Sequence, residues 1–315
     1  MLGSYMALSG MSLRQSLALR RKQLGREQRI VHRFVGWSER MPSSSSVDGL
    51  SGSTLMVSWH GTRMAAVTGG GSDSLIAAAA RRLAAVEKPL LLRWAWEMNG
   101  DWFDWGGSPS GYVRAYRRIH RIFRANGADN VAFVWSPNWN SSPDSSANAM
   151  ERYYPGDDYV DWICADGYNW APGRQGDQWR SFASIYQDFY DWGLARGKPL
   201  MVGEYGAQER DPGEKAKWLS EAREALKKKF QGIKAVVYFD SKKEYDWRVT
   251  SSPETLAAFR AMANDPWFTP DPNPLLDAAS ARPTLPGVPI PLSPLQFMPR
   301  TPPKAPSDPA PPDTP

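Results

Sequence analysis

The sequence predicts a (β/α)8 TIM barrel over residues 1–268, followed by a proline-rich tail at 269–315. Three observations carry this. Eight short apolar, strand-like runs recur along the first part of the chain, and stretches with helical spacing alternate with them. Several of the runs are apolar at consecutive positions, as strands buried on both faces of a parallel sheet must be. Beyond Phe268 the composition changes sharply, and more than half of the 27 prolines fall there. Eight is the strand number that closes a barrel of this kind. A doubly wound open sheet is the alternative, but its glycine fingerprint is missing.

Taken in order, residues 2–8 read as the first strand, and 12–28 as a helix with Leu13, Leu17 and Leu24 on one face and basic residues between. Residues 29–35 give a second strand, 43–46 a polar loop, and 55–59 a third strand that runs into His60. The Gly69-Gly70-Gly71 run has no following Lys-Ser/Thr and no dinucleotide-binding spacing. It reads as a loop leading to an N-cap at Ser72 or Asp73 and an alanine-rich helix to Val86. The fourth strand begins at Leu90, just past Pro89. A helix at 110–125 then precedes a strand at 131–135, and a short helix at 145–154 precedes one at 160–166. Helices at 179–196 and 212–230 precede strands at 199–204 and 235–239, and a helix at 253–263 closes the set. A tail segment such as Thr301-Pro302-Pro303-Lys304-Ala305-Pro306 cannot build a core and reads as extended linker.

With 315 residues, 42% of them hydrophobic, the chain can bury a sizeable core. Its 38 basic and 33 acidic residues leave a formal charge of only +5, so neither nucleic acid nor a membrane surface is indicated as a partner. The basic stretches 14–29 and 227–229 fall on predicted outer helices, where solvated lysine and arginine are ordinary. One cysteine, Cys164, excludes an intrachain disulfide and reads as a buried, inert thiol. His32, His60 and His120 have no metal-ligand spacing, so neither a metal nor another cofactor is expected. No apolar run is long enough to cross a membrane, and the chain as given shows no export signal. The 15 tryptophans stand out, because planar, rigid rings suit the apolar faces of sugars as well as a core.

In such a barrel the chemistry projects from the C-terminal strand ends. The fourth strand ends in Arg93, Trp96, Glu97 and Asn99, and the fifth in Trp135 and Asn138. The sixth ends in Asp166, Tyr168 and Trp170, the seventh in Glu204 and Tyr205. Two glutamates on the fourth and seventh strands face one another across the mouth, and a carboxyl pair flanking a bond is what glycoside hydrolysis requires. One must be held protonated and the other ionised, a split that unequal surroundings produce. The residues in themselves also allow a barrel that binds carbohydrate without cleaving it.

Six motifs, in order, resemble glycoside hydrolase family 26. They are Arg93-Trp94-Ala95-Trp96-Glu97-Met98-Asn99-Gly100, Val134-Trp135-Ser136-Pro137-Asn138, Tyr153-Tyr154-Pro155-Gly156-Asp157, Asp166-Gly167-Tyr168-Asn169-Trp170, Gly203-Glu204-Tyr205-Gly206 and Asp246-Trp247-Arg248. The resemblance implies a retaining, endo-acting enzyme on a β-linked polysaccharide. β-1,4-Mannan comes first, and β-1,3-1,4-glucan or xylan are alternatives. By the same resemblance Glu97 is the acid/base, Glu204 the nucleophile and Tyr168 the residue that orients it. Asp166 would serve the −1 subsite, Trp102 would form an aromatic wall, Arg93 would hold the carboxylates, and His60 would contact substrate. An exported monomer is also expected. One position departs from the family: its usual histidine before the acid/base is here Trp96. Indole only donates a hydrogen bond and adds bulk, so this position bears on which sugar is read, not on the two-carboxylate chemistry.

Overall fold

A computed structural model describes residues 1–6, 10–50, 52–173 and 176–269. The end of the first predicted strand, at 7–8, and the proline-rich tail from 270 onward lie outside the described residues.

Eight parallel strands close into a barrel in sequence order: β1 (Leu2–Met6), β2 (Ile30–Val35), β3 (Thr54–Trp59), β4 (Leu90–Trp94), β5 (Val131–Trp135), β6 (Trp162–Asn169), β7 (Leu200–Ala207) and β8 (Ile233–Asp240), with β8 paired back to β1. Around them lie α1 (Leu13–Leu24), α2 (Ser44–Val47), α3 (Met64–Thr68), α4 (Asp73–Ala84), α5 (Pro109–Ala125), α6 (Phe182–Leu194), α7 (Glu214–Lys228) and α8 (Pro253–Asn264). Side chains alternate along each strand. One set, including Ile30, Met56, Leu91, Trp162, Cys164, Met201 and Val237, packs together as the plug inside the barrel. The other set meets the helices, as where Trp94 stacks on Tyr112 with ring centroids 5.5 Å apart. Burial pushes the Cys164 thiol well up, in keeping with an inert group.

Three local expectations are corrected. The serine run read as a loop contains the short helix α2; ahead of the glycine run, where no element is expected, lies α3, and Ser72 is the N-cap of α4. No α-helix forms at 145–154. The β5–β6 crossover instead holds two 3-10 turns, Met150–Tyr153 and Asp157–Tyr159. Gly156 separates them with φ at 101°, and Pro155 before it cannot donate the bond a continuing helix would need. β6 and β7 also run past their predicted ends, because Asp166, Gly167, Tyr168 and Asn169 pair in register with Glu204, Tyr205, Gly206 and Ala207. These residues are polar or small, so an apolar pattern does not reveal them as strand.

Candidate active site

The barrel mouth is prepared by irregular backbone on β7 and beyond β4. Ala165 faces Val202 but Asp166 faces Glu204, so Gly203 is the extra residue of a β-bulge. Alternation would send Glu204 outward. The bulge turns it inward instead, while Tyr205 points out to Trp218 and Tyr238. Only glycine fits at 203, since a Cβ there would lie 2.6 Å from Cys164 Sγ, 2.7 Å from Asp166 Oδ1 and 2.8 Å from an Arg93 nitrogen.

The segment after β4 holds two non-glycine residues at positive φ, Ala95 at 48° and Glu97 at 53°. Such backbone persists only when its surroundings enforce it. Here Ala95 N–H donates to Trp59 O at 3.0 Å and Glu97 N–H to Ser136 O at 2.7 Å, tying the segment to the neighbouring strand ends. Trp102 folds back over Gly100, where any Cβ would come within 2.3 Å of the ring, and its indole N–H donates to Glu97 Oε2 at 2.9 Å.

Below Glu204 the interior is polar. Arg93, fully buried, donates to Asp166 Oδ1 at 2.6 Å, to Ser58 Oγ at 2.7 Å and to Glu204 Oε1. Tyr168 donates its hydroxyl to Glu204 Oε2 at 2.5 Å. Both oxygens of Glu204 are therefore held, and the carboxylate has one orientation. Burial alone would lower the Arg93 guanidinium, but Asp166 and Glu204 outweigh it and keep the cation protonated. Burial pushes the Asp166 carboxyl well up against the pull of Arg93, whose single charge is shared with Glu204. Burial and the adjoining Glu204 push the Tyr168 phenol well up, so it stays a donor.

His32 completes this layer, with Nε2 2.6 Å from Ser58 Oγ. Nε2 also faces an Arg93 N–H at 3.5 Å, and a guanidinium can only donate, so Nε2 is the accepting nitrogen: the Ser58 hydroxyl donates to it and the neutral ring carries its own proton on Nδ1. Burial, then Arg93, hold the imidazole well below its usual range. Below about pH 6.5 only the unfolded chain takes up this proton, so stability is lost as pH falls through that value. Thermal unfolding between pH 7 and 5 is expected to show this decline, with a shallower slope in His32→Gln.

Above the floor lies a cavity of about 620 Å3. Of the residues singled out by sequence, Glu97, Glu204, His60, Trp96, Trp102, Asn138, Tyr168, Trp170 and Trp247 line it. Five do not. Arg93 and Asp166 are buried beneath the floor and do not line the cavity. Asn99 is spent on the loop, accepting from Asn138 N–H at 2.8 Å and donating to Asn138 O at 2.9 Å. Trp135 and Tyr205 occupy outward strand positions, the former donating to Tyr153 O at 3.1 Å, and neither lines the cavity. Sequence reasoning missed Tyr5, Phe34, Phe103, Lys243, Glu244 and Tyr245 on the cavity wall. Tyr5 and Phe34 were legible as inward positions of β1 and β2; the others sit on loops with no periodic signal.

Trp96 is packed among Phe34, His60, Phe103 and Trp105, with the Arg93 guanidinium 5.1 Å from its ring centroid. Burial lowers the half-buried His60 imidazole, Glu39 partly opposing. Among the described residues no three His, Cys, Asp or Glu side chains could hold a metal ion, and no helix is long and apolar enough to cross a membrane.

A closed parallel barrel whose C-terminal mouth presents two glutamates between aromatic walls is the architecture of a barrel glycoside hydrolase. The sequence profile described as glycosyl hydrolase family 26 matches residues 70–244, more than half of the chain, and the chain belongs to that family. Endoglucanase H of Acetivibrio thermocellus is 36% identical over 250 residues, covering 75% of this chain and 27% of that protein. Mannan endo-1,4-beta-mannosidase A and B of Caldalkalibacillus mannanilyticus is 28% identical over 188 residues, 56% of this chain and 31% of that one. The chain thus spans little more than a quarter of the length of these relatives. The catalytic domain of an endo-beta-1,4-mannanase from Bacillus sp. JAMB-750 superposes with a TM-score of 0.65 at 18% identity, covering 87% of this chain and 88% of that one, and so shares the fold.

Proposed function

We propose that this chain is an endo-acting, retaining glycosidase of a β-linked polysaccharide, with β-glucan the first substrate to test and β-mannan the second. The observation that carries the reading is the unequal pair at the cavity. Glu204 is clamped through both oxygens by Arg93 and Tyr168, whereas Glu97 sits at the rim beneath the half-exposed Trp102. A fixed carboxylate suits attack on the anomeric carbon. A carboxyl beside the opening suits a proton donor that later meets water.

In the first step Glu204 forms a bond to C1 as the C1–O bond breaks, and Glu97 delivers its proton to the departing oxygen. In the second, Glu97 takes a proton from water, whose oxygen attacks C1 and frees Glu204. Trp102 and Trp170 offer faces for stacking sugars along the cleft, with the buried Trp247 packed behind Trp170. The order of substrates follows from the endoglucanase relative, whose match covers more of the chain at higher identity than the mannosidase does. A tryptophan at 96, where the family usually has histidine, is consistent with a sugar other than mannose at that subsite. A polymer too large to enter a cell places such an enzyme outside it.

Reducing ends released from β-glucans, mannan and xylans test the reading. Hydrolysis of a glucan above the others is expected, lost in Glu97→Gln and Glu204→Gln. Binding of a glycan by the wild type with no release from any would show a carbohydrate-binding barrel instead.

A further inference from the structure

Lys215, in the first turn of α7, is fully buried, a place lysine takes only when its ammonium is matched. Its Nζ donates to three acceptors: Asp246 O at 2.9 Å, Arg248 O at 2.8 Å and Ser251 Oγ at 3.1 Å. That uses all three N–H groups. The two carbonyls flank Trp247. The carbonyl of Trp247 itself accepts from the Tyr238 hydroxyl at 2.8 Å, and its N–H donates to Ser241 O at 3.0 Å. The Asp246 carboxylate is engaged by Arg248, and Lys215 gives two of its three bonds to main-chain carbonyls and the third to the Ser251 hydroxyl.

The consequence lies at the other end of Trp247. Its ring centroid is 4.8 Å from that of Tyr168 and 5.0 Å from that of Trp170, and it rests on Gly206, where a Cβ would come within 3.1 Å of the indole. Tyr168 is the phenol that donates to Glu204. A cation on the outer helix layer therefore ties together both sides of the segment that forms one cleft wall and backs the partner of Glu204, beside the bonds from Tyr238, to Ser241 and to Asp240.

We infer that Lys215 is a positioning residue: it clamps the main chain on both sides of Trp247 and so holds that indole as the cleft wall behind Tyr168. The effect on substrate rests on the glycosidase reading; the clamp itself does not. Burial holds the Lys215 pKa down at about 8, against the upward pull of Asp246, Glu209 and Asp240, with Arg248 adding to the lowering. Above that pH the amine keeps two N–H groups for three acceptors and turns a lone pair toward one of them. The native value lies below the unfolded one of about 10.4, so global stability rises as pH climbs between them. The segment at 241–251 should loosen over the same range, opposite in sign to the global trend.

Lys215→Met keeps the length and removes every donor. In that variant amide exchange in 241–251 is expected to rise about tenfold with the barrel strands unchanged, and KM to rise about tenfold with kcat held within about threefold. Trp247→Ala should raise KM comparably, and the double variant no further, as two residues acting through one wall require. Unchanged exchange in 241–251 overturns the clamp. Faster exchange with an unchanged KM, or additive effects of the two substitutions, overturns the positioning role. If Lys215→Met does not fold, the wild type decides: exchange in 241–251, corrected for intrinsic rates, must rise from pH 7 to 9.5, and a flat result overturns the inference. A wild type that cleaves no glycan would sink the glycosidase reading alone, because the exchange measurement still reports on Lys215.

Discussion

Glu204→Gln is expected to lower turnover on the preferred polysaccharide by 10⁴-fold or more, on the order of other enzymes that lose a covalent nucleophile. The fold should survive. Glutamine is nearly isosteric, and its amide oxygen can accept from Arg93 or Tyr168, so the unfolding midpoint should move little. Glu97→Ala should behave differently. Loss of a general acid/base costs about 10² to 10⁴-fold, and least for substrates whose leaving group needs no proton. With such a substrate the glycosyl-enzyme forms but lacks a base to activate water. Azide, which needs no base, should then restore turnover and leave a β-glycosyl azide. In Glu204→Ala azide would enter from the nucleophile's own side and give the α product. Product analysis of the two rescued reactions therefore separates the two roles.

Arg93→Met has the largest expected effect on stability. It leaves Asp166 fully buried and Glu204 nearly so, each without the cation that both now share. Breaking a buried charge pair by removing one partner costs about 3 to 5 kcal/mol, which corresponds to a fall of roughly 10 °C in the unfolding midpoint. The sign with pH is fixed by the same reasoning. Carboxyls buried without a counter-charge take up protons more readily, so the deficit relative to the wild type should shrink between pH 7.5 and 5. Adding Asp166→Asn should recover part of the midpoint without recovering activity, since Glu204 would still lack one of its two donors. A deficit independent of pH would mean that packing, not charge, is what Arg93 contributes.

The barrel was legible because its core obeys simple periodicities. Runs such as Leu90 to Leu92 and Val131 to Val134 are apolar at every position, and the helices between them carry one apolar face. What sequence could not show is where alternation fails. Glu204 points inward only because Gly203 is a bulge, and Glu97 reaches the rim only because its backbone takes a positive φ. Both are tertiary decisions, enforced by bonds to other strands. The same gap explains Trp135 and Tyr205. Each lies in a strand-end motif beside residues that do line the cavity, yet each takes the opposite face of the pleat. Arg93 and Asp166 were singled out as site residues and stand one layer deeper, where they act on Glu204 and not on a sugar. Lys215 carries no signal in the sequence. On an outer helix beside glutamates and lysines it reads as one more solvated residue.

Trapping the glycosyl-enzyme tests the central claim most directly. A 2-deoxy-2-fluoro glycoside of the preferred sugar with a good leaving group slows both steps but releases the covalent intermediate more slowly than it forms it. Intact mass should rise by one glycosyl unit, and fragmentation of the labelled peptide should place that unit on Glu204. A label on any other residue would contradict the assignment, as would stoichiometric release of the leaving group with the protein mass unchanged.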